Sequence, residues 1–469
     1  MATTIHHAGE PTANSSREKL ARVEPKSLRT FTPTQAVISR SAGVFHWTAD
    51  GRRLYDFSSG VLVSNLGHNP TRWMARFAQL MGWPATGFPT SGAPEYTPAV
   101  AMTAYNAVTP IEIEASDRLL ASLRRSPGGG RMEQVMWSAS GSEAIQKALW
   151  ASAARDRTRP MILATRFGFH GKKGLANAVT GSETDTERDP RVRFISFPMA
   201  ECRDVSMRAD AFDPAPYQRE LDALLHQFGR KIGTLITEPY LGGGGSYHPP
   251  KAYLQLLQRF CRENDIVFIL DEVQANFGRT GSLYAYEAYG LEPDLVVLGK
   301  GLGNGVPVAA AVGRADIFGA LDYGEGSDTW SANPLCCAAV IATLDEFESR
   351  DVLGGMKPAS KLIETALVAL KEHPFVAQVR GEQGGMVWGV EMKDHAGKTA
   401  AEWANAFVLA CYSGEGSGDG VHLLGPLSKK VVRVSPPLTI TQDEATAAVS
   451  IIKQAAARLA TSPHAIAVG

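Results

Sequence analysis

The sequence predicts an α/β fold in which a mostly parallel central sheet is flanked by helices. Residues 232–237, 266–270 and 295–298 are continuous apolar runs, which are typical of strands buried on both faces. From about residue 112 the chain alternates helical and strand patterns, as in a sheet with helical crossovers. A chain of 469 residues is long enough for one large domain of this kind and a smaller companion.

The first predicted elements follow a polar N-terminal segment. Residues 1–30 are expected to form a flexible arm, because this segment is polar and lacks the apolar core of a signal peptide. Residues 43–47 and 53–57 are predicted strands. Asp50 and Gly51 lie between them and form a common hairpin signal.

The next elements surround a turn that contains glycine. A helix is predicted over residues 114–123, a strand over 134–137 and a second helix over 143–153. The turn before the second helix is residues 138–142 (SASGS), where glycine lets the backbone approach a ligand closely. The remaining predicted elements, besides the three apolar runs, are a helix from about residue 333 and strands over residues 385–391 and 431–434.

Composition and charge argue against several classes of function. The chain has 47 Lys and Arg against 48 Asp and Glu, and this net charge of -1 argues against nucleic acid as a partner. Its 5 cysteines lack the paired spacing of a disulfide framework or a zinc site. No apolar run is long enough for a membrane helix. We therefore expect a cytoplasmic protein with no nucleic acid, membrane or metal partner.

Two charged side chains follow predicted strands, at the edge where open α/β sheets bind ligands. Asp271 follows residues 266–270, and Lys300 follows residues 295–298 and lies among glycines. A lysine amine held near a carboxylate can form a Schiff base with pyridoxal phosphate, whose pyridinium nitrogen pairs with a carboxylate. A magnesium-dependent nucleotide hydrolase is disfavoured, because Asp294 stands where its phosphate-binding motif would need the first glycine before Lys300.

The turn before the second helix and two further side chains supply the rest of a site for this cofactor. Ser140, Gly141 and Ser142 begin a helix, where backbone N–H groups can bind a phosphate. Ser142 can also cap the helix. Phe169 can cover one face of the cofactor ring and Val273 the other. Together with Asp271, these residues predict a pyridoxal phosphate site.

The motifs together resemble those of the class III pyridoxal-phosphate-dependent aminotransferases of fold type I. The strongest match is residues 270–281 (LDEVQANFGRTG), followed at the family's distance by residues 298–303 (LGKGLG). The matches occur in the family's order from about residue 57 to residue 440. The supporting matches are Ser140-Gly141-Ser142, Phe169-His170-Gly171, Glu238-Pro239, Thr329, Asn333-Pro334-Leu335 and Arg433.

This resemblance implies roles for the matching residues. Lys300 would hold pyridoxal 5'-phosphate as an internal aldimine and move the proton at the substrate carbon, in a ping-pong mechanism. Asp271 would keep the pyridine nitrogen protonated, and Gln274 would bond the phenolic oxygen of the ring. Gln274 could instead be a surface amide. The implied cofactor-binding set is Ser140, Gly141, Ser142, Phe169, His170, Asp271, Val273, Gln274, Lys300 and Thr329.

The resemblance also implies the domain organisation and the assembly. Residues 76–345 would form the large cofactor-binding domain, and residues 31–75 and 346–469 would form a smaller α/β domain from both chain ends. In the family, the threonine that matches Thr329 reaches the phosphate of the neighbouring subunit, which implies a homodimer with shared active sites. Thr329 could alternatively cap a helix.

The sequence departs from the family pattern in two places near these motifs. Ala275 and Asn276 stand where the family usually has Thr-Gly. After Thr329, residues 330–332 (WSA) replace a glycine-rich step, so the loop at the shared phosphate is expected to differ. Neither departure removes a reacting group.

The substrate prediction depends on three side chains. Arg433 resembles the family arginine that binds a substrate carboxylate through both nitrogens. Glu238 resembles the glutamate that pairs with this arginine when the amine donor has no carboxylate at that end; a permanent ion pair is the alternative. Val61 stands where relatives specific for ornithine have a tyrosine, which argues against ornithine as the donor. We therefore expect transfer from an ω-amino acid or similar primary amine to pyruvate or 2-oxoglutarate.

Other activities stay open at this point. An aminomutase or a racemase of the same fold would use the same cofactor groups. A binding protein that has lost its cofactor is disfavoured, because Lys300, Asp271 and Gln274 are all present. Residues 83–109 match nothing in the family and lie where substrate-entrance residues are often found, so the choice of substrate is the least determined prediction.

Overall fold

A computed structural model describes residues 5–88, 95–186, 188–414 and 418–461 of the chain. The strands are β1 (Ile38–Ala42), β2 (Phe45–Thr48), β3 (Arg53–Asp56), β4 (Gln134–Ser138), β5 (Met161–Thr165), β6 (Val192–Ile195), β7 (Ile232–Thr237), β8 (Val267–Asp271), β9 (Leu295–Leu298), β10 (Ala309–Gly313), β11 (Val376–Gly381), β12 (Trp388–Met392), β13 (Gly420–His422) and β14 (Val431–Val434). The helices are α1 (Pro11–Val23), α2 (Ser59–Leu62), α3 (Thr71–Leu80), α4 (Pro110–Arg125), α5 (Gly141–Arg155), α6 (Gly174–Ala178), α7 (Ala215–Phe228), α8 (Lys251–Glu263), α9 (Ala285–Tyr289), α10 (Ala315–Phe318), α11 (Pro334–Ser349), α12 (Val352–Ala369), α13 (Ala400–Ser413) and α14 (Gln442–Thr461).

The central sheet has the order β4-β10-β9-β8-β7-β5-β6. Its strands β5 to β9 run parallel to one another, and only β10 runs antiparallel to its neighbours β4 and β9. In the register of β8 with β9, Asp271 pairs with Val297. Asp271 and Lys300 therefore follow adjacent parallel strands at the same edge, and the predicted α/β fold with its mostly parallel sheet is confirmed.

The apolar runs predicted as strands are buried on both faces because helices cover both sides of the sheet. Val267 and Ile269 of β8 pack in one cluster with Ala148 of α5. The alternate residues Phe268 and Leu270 pack in another cluster with side chains of α8. This alternation explains why a strand of this kind is apolar at every position.

Two smaller sheets combine strands from distant parts of the chain. One has the order β1-β2-β3-β13 and the other β11-β12-β14. The predicted hairpin is present, with Phe45 of β2 opposite Tyr55 of β3. The strand predicted over residues 385–391 is shifted: β12 begins only at Trp388. The reason is that the Gly385 N–H bonds within a turn and the Met386 N–H bonds to the carbonyl of Arg279.

The segment that we predicted as a flexible arm, residues 1–30, instead contains helix α1 in its described part, so that prediction was wrong there. Glu10, just before the helix, is buried and accepts hydrogen bonds from Arg17, Arg52 and Tyr412. A buried carboxylate with three donors holds the segment against the rest of the chain. The predicted domain boundaries at residues 75 and 345 stay predictions. No helix among the described residues is long and apolar enough to cross a membrane.

Candidate functional site

A cavity of about 370 Å³ lies at the edge of the central sheet where β8 and β9 end. The structure brings ten of the thirteen predicted site residues to its wall. These ten are Ser140, Gly141, Ser142, Phe169, His170, Glu238, Asp271, Val273, Gln274 and Lys300. Arg433 contacts one of these residues, whereas Val61 and Thr329 lie outside the lining.

Asp271, the last residue of β8, is held on both of its carboxylate oxygens. Oδ2 lies 2.7 Å from Nδ1 of His170, and Oδ1 accepts a hydrogen bond of 3.0 Å from the Val273 N–H. The carboxylate is only 4% exposed. We predicted His170 as a cofactor-binding residue, and the structure makes it the partner that fixes the orientation of Asp271.

Lys300 follows β9 and lies half-buried in the wall of the cavity. Burial lowers the pKa of its amine to about 8, although the negative charge of Asp271 opposes this shift. Its backbone φ is 47°, in the left-handed region that residues with side chains seldom adopt. The next residue, Gly301, leaves no room for a side chain, because a Cβ there would lie 2.4 Å from the side-chain Nδ2 of Asn65. An amine with such a pKa is partly uncharged near neutral pH and can attack an aldehyde.

The start of α5 forms a cradle of backbone N–H groups. Ser140 is the N-cap residue, so the N–H groups of Gly141 and Ser142 begin the helix and need partners outside it. A Cβ at Gly141 would lie 3.0 Å from Val273, and a Cβ at Gly171 would lie 2.3 Å from Oγ of Ser142. Glycine at both positions therefore keeps this helix N-terminus open to an anion.

The glycine run of residues 242–245 packs directly behind two predicted site residues. A Cβ at Gly242 would lie 2.4 Å from Oε1 of Gln274, and a Cβ at Gly243 would lie 2.9 Å from Cβ of Phe169. Any side chain at these positions would push Gln274 or Phe169 out of place. Gly242 and Gly243 are therefore required for the shape of the site.

The two charged substrate residues predicted from the sequence, Arg433 and Glu238, do not bond to each other in this structure. Arg433 in β14 is 3% exposed, and its Nη1 donates a 2.8 Å hydrogen bond to Oε1 of Gln274. Glu238 instead accepts hydrogen bonds from the N–H groups of Phe169, at 2.9 Å, and Gly242, at 3.2 Å. The alternative of a permanent ion pair between Arg433 and Glu238 was therefore wrong for this structure. Gln274 is buried, so the alternative of a surface amide was wrong too.

Burial also sets the protonation of the two charged substrate residues. It raises the pKa of Glu238 to about 7, although the nearby His170 opposes this shift. Burial lowers the pKa of Arg433, but a guanidinium remains charged. Nε of Arg433 is buried and has no hydrogen-bond partner among the described residues. The site thus holds one buried cation whose donors are only partly used.

Val61 and Thr329 have different positions from the rest of the predicted set. Val61 is 40% exposed and is not part of the cavity wall, whereas Val63 is. The backbone from Ser59 to Leu62 has φ values of 47° to 69°, and this left-handed turn directs the chain so that Val63 faces the cavity. Thr329 is exposed in a turn before α11, so the alternative that it caps that helix was wrong: Asn333 is the cap.

Sequence reasoning missed the apolar part of the cavity wall. Val63, Val306, Pro307 and Val308 all line the cavity. They belong to no sequence motif that would predict a binding site. Only the antiparallel return of β10 brings residues 306–308 to this edge, and the sequence pattern does not specify that return.

The residues present fit pyridoxal phosphate. Lys300 offers an amine of lowered pKa, and Asp271 offers a carboxylate in fixed orientation. Gly141 and Ser142 offer free N–H groups at a helix N-terminus, where a phosphate is stabilised. Phe169, whose side chain lines the cavity and is 37% exposed, offers an open ring for stacking.

The chain is similar to known proteins over most of its length. The model of the aminotransferase class-III family matches residues 28–456. An acetylornithine aminotransferase of Oceanobacillus iheyensis is 26% identical over 446 residues, covering 93% of this chain and 97% of that protein. A 4-aminobutyrate aminotransferase of Mycobacterium leprae is 28% identical over 451 residues, covering 92% and 93%.

Solved structures show the same fold. An amine transaminase from an uncultivated Pseudomonas species, solved in a PLP-bound form, has a TM-score of 0.75 and 25% identity, covering 98% of this chain and 99% of that chain. An acetylornithine aminotransferase from Elizabethkingia anophelis has a TM-score of 0.76 at 22% identity, covering 96% and 100%. These matches extend over nearly the whole chain.

Proposed function

Because the chain belongs to the class III aminotransferases, we propose that it transfers the amino group of an ω-amino acid or another primary amine to pyruvate or 2-oxoglutarate. Transamination dependent on pyridoxal phosphate is the chemistry of this family, and the chain is such an enzyme. The comparisons do not favour an aminomutase, a racemase or a binding protein without cofactor. The open question is therefore which amine and which oxo acid react.

One observation supports an oxo acid as the acceptor. Arg433 is a buried cation whose Nε has no hydrogen-bond partner among the described residues. A buried charge without full compensation is destabilising, so a ligand that completes its hydrogen bonds is strongly favoured. A carboxylate matches the two-pronged guanidinium. The amide of Gln274 can be exchanged for that carboxylate, because the bond between the two side chains is a single hydrogen bond.

The donor is inferred from Glu238 and from the apolar wall. An amine without a carboxylate leaves Arg433 to be neutralised by the protein, and Glu238 supplies the nearby negative charge. Its pKa of about 7 means that this charge is available at neutral pH and above. The apolar side chains of Val63, Val306 and Val308 suit the methylene chain of an ω-amino acid.

The residues around the cofactor site have the following proposed roles. The cofactor, when bound, supplies an aldehyde for the amine and an electron-withdrawing ring. Lys300 binds the cofactor and moves the proton at the amine-bearing carbon of the substrate. Asp271, oriented by His170, keeps the ring nitrogen protonated. Gly141 and Ser142 bind the phosphate through their N–H groups.

We also propose that two copies of the chain form a homodimer with shared active sites, located in the cytoplasm. The exposed position of Thr329 supports the shared site, because it leaves this hydroxyl accessible to a second copy. Gel filtration with light scattering tests the dimer directly. A monomer that retained full transaminase activity would contradict the shared site.

A panel of amine donors tested against both acceptors decides the substrate. We expect ω-amino acids and simple primary amines to form alanine from pyruvate or glutamate from 2-oxoglutarate, with one carbonyl product for each amino group transferred. The readout is the new amino acid, measured by chromatography. If no donor aminated either acceptor, or if the donor were isomerised or epimerised without consuming an oxo acid, the proposal would fail.

A further inference from the structure

Lys147 is a buried lysine whose ammonium group makes three hydrogen bonds. It lies in α5 and its side chain is 4% exposed. Nζ donates to the main-chain carbonyl of Trp137, to Oδ2 of Asp328 and to Oγ of Ser331, each at 2.7 Å. An ammonium has three N–H donors, so its hydrogen bonding is complete.

These three partners come from two different parts of the chain. Trp137 lies in β4, the strand that enters the turn of residues 138–142 at the cofactor site. Asp328 and Ser331 flank Thr329 in the turn before α11. Lys147 therefore ties the helix that begins at the predicted phosphate cradle to the turn that carries Thr329.

The turn is organised around Asp328. Its Oδ1 accepts from the Trp330 N–H at 2.9 Å, and its Oδ2 lies 2.6 Å from Oγ of Ser331 as well as bonding to Lys147. Burial alone would raise the pKa of Asp328, but the bonds from Lys147 and Ser331 lower it. The side chains of Thr329 and Trp330 make none of these bonds and are exposed, and Trp330 is 59% exposed.

We propose that Lys147 is a positioning residue that holds residues 328–331 so that Thr329 reaches the cofactor phosphate of a second copy of this chain. The inference rests on the proposed homodimer with shared active sites. The positioning role of Lys147 explains why residues 330–332 depart from the family's glycine-rich step, because Ser331 offers Lys147 a hydroxyl that glycine lacks. The rigid side-chain network replaces the backbone freedom of glycine.

Loss of pyridoxal phosphate from the holoenzyme tests this positioning role. The Lys147→Met variant keeps the aliphatic stem but removes the ammonium, and we expect it to lose cofactor about tenfold faster, the size of effect expected for one hydrogen bond to a charged group. The measurement is the decay of cofactor absorbance after dilution. Lys371→Met is the matched control, because it also breaks a bond of lysine to aspartate, here Asp204, away from the cavity. It should lose cofactor at the wild-type rate.

Mixed dimers show in which subunit Lys147 acts. In the first mixed dimer, a wild-type subunit pairs with a subunit that carries both Lys147→Met and Lys300→Ala. Only the active site of the wild-type subunit then contains Lys300, and this site receives Thr329 from the altered turn of the other subunit. We expect fast cofactor loss from it. In the second, the Lys147→Met subunit keeps Lys300 and pairs with a Lys300→Ala subunit, and we expect slow loss.

Several results would overturn the proposal. Fast loss in the second mixed dimer and not in the first would show that Lys147 acts within its own subunit, through Trp137. A lower melting temperature with unchanged cofactor loss would show a structural role only. If Lys147→Met does not fold, Ser331→Ala gives the same test. This variant leaves the bond between Lys147 and Asp328, so we expect a smaller increase in the rate of cofactor loss. An unchanged rate of cofactor loss in Ser331→Ala would also overturn the proposal. A wild-type protein that binds no pyridoxal phosphate would instead contradict the proposed function.

Discussion

The part of the site that would hold the cofactor and the part that would hold the substrate differ in how their polar groups are bound. Asp271 has both oxygens fixed, by His170 and by the N–H of Val273. Arg433, by contrast, makes one hydrogen bond to Gln274 and has a buried Nε without a partner among the described residues. We call these two parts the cofactor half and the substrate half.

This difference matches what each half has to do. A group that stays bound through every turnover is served by side chains that are already fixed, because they need no reorganisation. A site that must accept two substrates in turn needs partners that can be exchanged. The single bond between Arg433 and Gln274 is such a partner, and so is Glu238, which is held by two backbone N–H groups and has a pKa of about 7.

The largest expected effect is in the cofactor half. Asp271→Asn keeps the shape of the side chain but removes its charge, and we expect both half-reactions to slow by about 100-fold or more, as with other deletions of a fixed catalytic charge. Single-turnover absorbance changes with an amine and with an oxo acid measure the two halves separately. If one half-reaction kept its normal rate, Asp271 would not serve the shared cofactor, and the comparison of the two halves would break down.

The cofactor half was also the part that the sequence could predict. Asp271 and Lys300 each follow an apolar strand of the same parallel sheet, and the register of β8 with β9 brings both to one edge. These relations are local and follow from strand pattern and topology alone.

The substrate half could not be predicted to the same extent, because its contacts join distant parts of the chain. The bond of Arg433 to Gln274 joins residues 159 positions apart, and no local pattern shows that Gln274 would be its partner. The same holds for the N-terminal segment, where Glu10 bonds to Tyr412, 402 positions away. The composition of this polar segment indicates a flexible arm, because nothing in it reveals that distant contact.

An intermediate effect, confined to one half-reaction, is expected for Arg433→Gln. The variant loses the charge that would bind the acceptor carboxylate, so we expect kcat/KM for the oxo acid to fall about 30-fold, equivalent to about 2 kcal/mol for a hydrogen bond to a charged group. The half-reaction with an amine that has no carboxylate is the internal control and should change little. Equal losses in both half-reactions would show that Arg433 supports the cofactor half through Gln274 and does not select the acceptor.

The smallest effect, and the sharpest test of the substrate half, is the pH dependence given by Glu238. Burial raises the pKa of this carboxyl to about 7, so its negative charge is absent below that pH and present above it. If the charge balances Arg433 while a simple amine binds, kcat/KM for the amine should rise with pH through about 7. The amine substrate and Lys300 also titrate, so the quantity to measure is the ratio of wild type to Glu238→Gln across the pH range. We expect this ratio to grow by up to about tenfold from pH about 6 to about 8, the size of one modest charge interaction. A ratio that stays constant would show that Glu238 serves only to accept the N–H groups of Phe169 and Gly242, and that the substrate half does not use it as an exchangeable partner.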